Sequence, residues 1–548
     1  MIGKMMRAIV DIETDSLDAT KVHCIVAKDI DSGKVYPFPP DKVHGFRDWS
    51  LGVKTFIMHN GLSFDAPLLN KFTNSSIQAE QIRDTLLESQ LFNPIREEGH
   101  SLQAWGERLN YPKGEVETFD YYTPDMLKYC EQDVELTYRV AKELEKESKN
   151  FSKESLELEN KIRVIIDKQE DNGFTLDIRK ASELMATLQD EADQLNDKAQ
   201  EMFPPAEVQL KTKVKYIPFN IGSRKQIAER LMEKGWKPER RTDKGNIIVN
   251  EEVLKTIDMP EAKMFSRYLL LQKRVSQIKS WIELCDNDNK VHGKILTLKT
   301  ITGRMAHHSP NMAQIPAVYS PYGKECRECW TISDPENYSL VGTDASGLEL
   351  RCLAHYMNDR QFTNELLTGD IHTANMKMAG LSDRDQAKTF IYAFLYGAGA
   401  AKIGKIIGGD PKKGQQLINR FLSNMPSLRV LRNKIQNASQ KGIIRGLDGR
   451  LLRIRSSHSA LNTLIQSAGA VVCKHWLLDI MSLIKKTRID AKLVASIHDE
   501  YQFEVNNKHL TEFGLITKEA MKKTQRDLKI NCELASEWKA GKTWATTH

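Results

Sequence analysis

Apolar residues alternate with polar ones, or run in short β-branched stretches, over residues 7–12, 22–29 and 55–59. Each stretch predicts a strand. Apolar positions then recur at helical spacing over residues 65–72 and 125–148, so the first 150 residues read as an α/β sheet module. Two long amphipathic helices are predicted next, over 153–168 and 179–201. Pro204, Pro205 and Pro218 interrupt that pattern, and a basic, mostly helical stretch runs from there to about Asp288. Strand signals return around Leu296, Leu340 and Val494, which makes the last part α+β. No internal repeat or low-complexity segment breaks this order.

At 548 residues the chain has room for about three or four domains. Hydrophobic residues at 40% and charged ones at 28% fit a globular protein and exclude disorder, collagen and coiled coil. There is no uninterrupted apolar run of membrane-spanning length and no apolar signal core at the N-terminus. The expectation is a cytoplasmic protein without a membrane partner. Eight scattered cysteines suit reduced thiols. Only Cys326 and Cys329 form a CxxC, and with no second ligand pair it is read as two thiols on a strand edge, not as zinc.

Charge changes the picture through its distribution. The net of +6 averages a first module, residues 1–150, at −7 with a remainder at +13. Residues 211–244 alone hold eleven basic side chains, among them Lys211, Lys213 and Lys215, against four acidic ones. An acidic module ahead of a basic body suits cation binding in the first and phosphate binding in the second.

The acidic module carries a chemical constellation. Asp11 and Glu13 stand two residues apart on a strand and so project to one side. Asp65 opens a helix, and Tyr129 and Asp133 lie one helical turn apart. Four converging carboxylates repel unless cations lie between them, and oxygen donors suit Mg²⁺ or Mn²⁺. Two such ions form the clamp for in-line displacement at phosphorus, with Tyr129 able to orient the attacking water.

A second constellation follows. A strand over 338–343 runs into Asp344, and a hairpin over 492–505 carries His498, Asp499 and Glu500 at its tip. Arg384, Lys388, Tyr392 and Tyr396 recur every four residues along one helix face: two cations suited to a triphosphate, then two rings suited to a stacked base.

In order along the chain, the DIE of residues 11–13, the Asn60-x3-Phe64-Asp65 segment and Tyr129-x3-Asp133 resemble the three motifs of DEDDy 3′–5′ exonucleases. The DASGLELRCLAH of 344–355, the Arg384-x3-Lys388-x3-Tyr392-x3-Tyr396-Gly397 helix and the HDE of 498–500 resemble motifs A, B and C of family A DNA polymerases, closest to the replicative polymerases of short-tailed bacteriophages. Thr302-Gly303-Arg304, the 310–316 segment and the LNTLIQSAGA of 461–470 are similar to further segments of that family. The resemblance spans nearly the whole chain. It implies an RNase H-like exonuclease domain followed by a right-hand polymerase: exonuclease 1–150, palm edge 151–177, thumb 178–290, palm with motif A 291–370, fingers 371–445 and palm with motif C 446–548. It implies a DNA-templated DNA polymerase with proofreading, and the alternative is a stand-alone exonuclease whose larger part grips DNA.

By the same resemblance Asp11, Glu13, Asp65 and Asp133 hold metals with Tyr129 on the water. Asp344 and Asp499, supported by Glu500, hold two Mg²⁺ for synthesis, with Mn²⁺ as substitute. His372, Arg384 and Lys388 meet the incoming triphosphate, Tyr392 its sugar and base, and Tyr396 the template position. Glu349 is the gate against ribonucleotides. Arg304, Asn311, Gln314, Asn462, Gln466 and His498 contact the DNA. The implied partners are primer-template DNA, dNTPs and a replisome helicase-primase or single-strand-binding protein, and a monomer is expected.

Three departures qualify it. Ala393 stands where close relatives have glycine. Nothing precedes the exonuclease module, so no 5′ nuclease is expected. About a dozen residues separate Pro205 from Pro218, too few for the thumb insertion that recruits thioredoxin in a known relative, so no thioredoxin clamp is expected there. Tyr392, in place of phenylalanine, resembles members that accept dideoxynucleotides. Primer extension is therefore expected to terminate efficiently with them; full-length synthesis at large dideoxynucleotide excess would contradict this.

Overall fold

The first strand, β1 (Met6–Thr14), is apolar at nearly every position up to its acidic end because it becomes the centre of a sheet covered on both faces. A computed structural model describes residues 6–209, 214–242 and 244–548 of the chain. In it, β1 pairs antiparallel with β2 (Val22–Asp29), which pairs antiparallel with β3 (Val35–Phe38). On its other side β1 runs parallel to β4 (Val53–Met58), and β4 runs parallel to β5 (Ile82–Asp84). The sheet order is therefore β3-β2-β1-β4-β5. The sequence pattern misses β3 and β5, which are four and three residues long.

By contacts the chain divides into two units. The first comprises the residues up to Asn172, Lys294–His308 and Val341–Lys539. It holds the β1–β5 sheet and most of a second, four-stranded sheet in the order Ala491–Ile497, Glu500–Asn506, Tyr338–Ala345, Ser536–Gly541. The helix Ala460–Thr487 is long and apolar enough by composition to cross a membrane, yet Val471, Val472, Trp476, Leu477 and Ile480 are all buried in this unit's main core. Its apolar character is that of a central core helix.

The second unit comprises Gly173–Gly293, Ser309–Leu340 and Ala540–His548. The long helices Ile178–Met202 and Pro260–Glu283 pack against each other. At one end Phe203, Phe219 and Phe265 meet with ring centroids 5.0–5.8 Å apart. The stretch read as mostly helical begins instead with a hairpin, Ala206–Gln209 against Val214–Ile217. One helix follows, Arg224–Glu233, and then irregular chain, because Pro238, Gly245 and the runs of charge leave too few apolar positions for a helical stripe. Lys215 is exposed on the second hairpin strand; Lys211 and Lys213 lie outside the described residues. The CxxC sits at the end of a short helix, Gly323–Glu328, with both thiols buried, and not on a strand edge.

A buried charge network ties four parts of the first unit together. The Lys474 ammonium donates to both Glu159 oxygens at 2.8 and 2.6 Å and to the Thr297 carbonyl at 2.9 Å. Arg450 reaches Glu159 at 2.9 Å and grips Asp448 through Nη2 at 2.7 Å. Two cations and two carboxylates cancel, which is the condition for keeping them all inside. Glu159→Gln leaves two buried cations short of one carboxylate. We expect a loss of about 3–5 kcal/mol, read as a lowered urea midpoint, against less than about 0.5 kcal/mol for exposed Glu283→Gln. Equal midpoints would refute this.

Candidate active sites

The acidic residues of the first module meet. Asp11 and Glu13 leave β1 on one side, and their oxygens and the Cys130 sulfur lie within 4.8 Å of one another. Cys130 Sγ sits 3.5 Å from Asp11 Oδ2. Asp65 enters, buried, at the start of the helix Asp65–Thr73. Tyr129 and Asp133 come from the helix Pro124–Glu147. Burial, then Glu13, Asp133 and Asp65, pushes the Asp11 carboxyl well above the usual range. Burial and Asp133 carry Glu13 to about 8, and burial with Asp84 carries Asp65 to about 7. Burial also raises Asp133, against the pull of Lys113. Carboxylates raised together in this way form a cluster short of positive charge.

Two participants escape the sequence reading. Asp84 is buried and collects four N–H donors: Asn60 and Leu62 at 3.1 Å, Leu86 at 2.9 Å and Leu87 at 3.3 Å. It thereby pins the turn that leads to Asp65. That turn needs Asn60 at φ +70°, and a Cβ on Gly61 would lie 2.2 Å from Met58 Cβ. Lys113 is the other, with Nζ 2.7 Å from Asp133 Oδ2. A strand-end aspartate before a Thr-led helix could have flagged Asp84 as a cap. Nothing in the sequence pattern flags Lys113.

The second site forms where two strands of the four-stranded sheet end. Asp344 lies near the end of Tyr338–Ala345. Asp499 lies in the two-residue turn closed by the Ile497–Glu500 pair, with His498 at φ +57°. A backbone bond from the Ala345 N–H to the Asp499 carbonyl, 3.0 Å, fixes the two ends side by side. Glu500 is buried and accepts from Gln502 at 2.6 Å. Burial is the main cause that raises Asp499.

Beside these acids, Glu349 bridges two groups. It accepts from Arg304 Nη2 at 2.7 Å and from the Tyr396 hydroxyl at 2.7 Å. Tyr396 follows the end of the helix Arg384–Leu395, and its ring stacks on Tyr392 at 6.3 Å and 28°. His372 approaches Tyr392 at 6.1 Å. Arg384 grips both oxygens of Asp370, at 2.7 and 3.0 Å. Lys388 is exposed on the same helix. Asn462 and Gln466 sit one turn apart near the start of Ala460–Thr487. Arg304, Glu349, His498 and Asp499 line one cavity, whose wall also includes Gly469 and Cys473. Asn311 and Gln314 fall in the second unit, at the start and end of a 3₁₀ turn, Met312–Gln314.

The segment before Arg304 is held from beneath. Gly303 takes φ +76°, and a Cβ there would stand 2.6 Å from Arg450 Nη1. The buried network thus reaches the residue next to Arg304.

Comparison with known proteins gives a consistent result. The family model described as DNA polymerase family A matches residues 181–546. The DNA-directed DNA polymerase of Escherichia phage T7 is 30% identical, over 98% of this chain and 99% of that protein; that of Enterobacteria phage T3 is 30% identical over the same shares. DNA polymerase I of Bacillus subtilis is 25% identical over 71% of this chain and 45% of its own length. The POL domain of Pol1 from M. smegmatis, solved in complex with DNA primer-template and dNTP, superposes with a TM-score of 0.84 at 16% identity, covering 99% of this chain and 96% of that one. The fold is that of a multidomain right-hand polymerase, and the match over 181–546 overturns the reading of this region as a mere DNA grip. The chain belongs to DNA polymerase family A, as a DNA-directed DNA polymerase.

Proposed function

We propose that this polymerase extends a DNA primer at Asp344 and Asp499 and edits it at a 3′–5′ exonuclease site formed by Asp11, Glu13, Asp65 and Asp133. The observation that carries the editing half is the convergence of those four carboxylates in one cluster, with Glu13, Asp65 and Asp133 buried and Asp11 half-buried. Their donor set fits divalent cations: all four are hard oxygen ligands, and Asp133 Oδ1 is buried without a hydrogen-bond partner among the described residues. Asp344 and Asp499, set side by side, offer the same kind of donor in the second site. Mg²⁺, or Mn²⁺ in its place, would be held by these carboxylates and would supply charge neutralisation at phosphorus and a lowered pKa for the attacking oxygen.

The chain's own residues do the remaining work. In synthesis, Arg384, Lys388 and His372 bind the triphosphate, and Arg384 leaves Asp370 to do so. Tyr392 stacks beside the incoming sugar and base. Glu349 has one carboxylate oxygen held by Arg304 and the other by Tyr396, and that fixed position supports its reading as the ribonucleotide gate. Arg304, Gln466, Asn462 and His498 bind the minor groove of the primer-template, with Asn311 and Gln314 on the strand backbone. In editing, Tyr129 orients the water and Asp65 and Asp133 set its line of attack.

The domain reading goes with this: exonuclease 1–150, palm edge 151–177, thumb 178–290, and palm and fingers beyond. With only about a dozen residues between Pro205 and Pro218, no thioredoxin clamp is proposed at that place.

Labelled-primer assays test the two-site reading. Asp344→Ala is expected to lower extension at least about a hundredfold and leave shortening intact, and Asp11→Ala with Glu13→Ala to do the reverse. Loss of both activities in either variant would refute two separate sites. A pH dependence also follows. Glu13 at about 8 and Asp65 at about 7 hold protons that a cation must displace. Mg²⁺ affinity at this site is therefore expected to weaken as pH falls through that range, measured by titration calorimetry at constant ionic strength. A flat profile between pH 6 and 8 would contradict it.

A further inference from the structure

We propose that Lys113 is a positioning residue of the four-carboxylate site: its ammonium holds Asp133 and Tyr129 in place and acts as a built-in cation against which any divalent ion must bind. The proposal rests on the exonuclease reading and adds to it a group that no motif in the sequence identifies.

The contacts are specific. Lys113 Nζ lies 2.7 Å from Asp133 Oδ2 and 4.9 Å from the Tyr129 ring centroid. Phe119 meets the same ring edge-on at 6.2 Å. Tyr129 is thus flanked by a cation and an aromatic edge, and Asp133 is left with only Oδ1 free of hydrogen bonds.

The loop that carries Lys113 is locked onto the helix Pro124–Glu147. Gln132 Nε2 donates to the Pro112 carbonyl at 2.7 Å. A Cβ on Gly114 would lie 2.6 Å from Gln132 Oε1 and 3.3 Å from Tyr129 Cδ2, and one on Gly106 would lie 2.8 Å from the Tyr111 carbonyl oxygen and 3.2 Å from the Lys113 nitrogen. Two close-approach glycines and a side-chain clamp are the means by which a loop lysine acquires a defined position. A freely solvated lysine would need none of them.

Its charge also reaches beyond its direct partner. Lys113 opposes the upward push on Asp11 and on Glu13 as well as on Asp133. One ammonium therefore offsets part of the repulsion among at least three of the four carboxylates. A divalent ion entering the same cluster meets that ammonium as a like charge.

Lys113→Met and Lys113→Arg separate these effects. In an Asp344→Ala background, which removes the cation site of the polymerase half, Mn²⁺ binding is followed by electron paramagnetic resonance and single-strand shortening by gel. Lys113→Met is expected to bind Mn²⁺ at least about tenfold tighter, because the like charge is gone. It is also expected to lose about tenfold in kcat with KM unchanged, because Tyr129 is no longer held. Lys113→Arg, which keeps the charge, is expected to retain wild-type Mn²⁺ affinity. Unchanged or weaker Mn²⁺ binding in Lys113→Met would overturn the proposal. If its thermal midpoint shows that the methionine disturbs folding, Lys113→Gln carries the same expectation and the same refutation. Failure of the exonuclease reading looks different: Asp11→Ala with Glu13→Ala would then leave Mn²⁺ binding and shortening untouched.

Discussion

Four charges almost closed off from solvent, Glu159, Lys474, Arg450 and Asp448, organise the first unit. A buried ion is tolerated only when fully paired, so the helix Lys153–Asn172, the 297–304 segment, the turn at Asp448 and the helix Ala460–Thr487 must each stand within hydrogen-bond reach of a common centre. Apolar packing alone would let those parts slide. The paired charges fix their register, and with it the floor beneath Gly303 and Arg304.

From that floor the polymerase site is reached in few steps. Arg304 holds one oxygen of Glu349 and Tyr396 holds the other, so a side chain from one helix, a loop cation and the ring beyond another helix share one carboxylate. The acids lie next to it because a backbone bond joins the ends of two strands. The first module solves a different problem. Its carboxylates are crowded and, Asp11 apart, buried, and the order around them comes from neighbours that are themselves held: Asp84 by four N–H donors, Lys113 by a locked loop.

Much of this was legible in the sequence, for a physical reason. Elements such as β1, β2 and Pro124–Glu147 show in the pattern because burial is marked on them, on both faces of the two strands and along one face of the helix. Short edge strands such as Val35–Phe38 do not, since few residues carry the signal. The metal-type carboxylates were readable because their spacing repeats a chemical need. Lys113, Asp84 and the Glu159 network were not, because each acts through a partner distant in sequence: Asp133 for Lys113, Asn60 and Leu62 for Asp84, and Lys474, more than three hundred positions away, for Glu159. The hairpin of Ala206–Gln209 against Val214–Ile217 escaped because its strands are only four residues long and the second is exposed throughout, so burial leaves no pattern to read.

The segment Lys294–His308 ends this chain of dependencies. Within about ten residues it sends Leu298 into the core of the β1–β5 module, offers the Thr297 carbonyl to Lys474 and presents Arg304 to Glu349. One ribbon therefore belongs to two hydrophobic cores at once. Neither core can open without pulling on the other, so the two modules melt as a single cooperative block, and amides on both sides of the ribbon share a common opening free energy in hydrogen exchange.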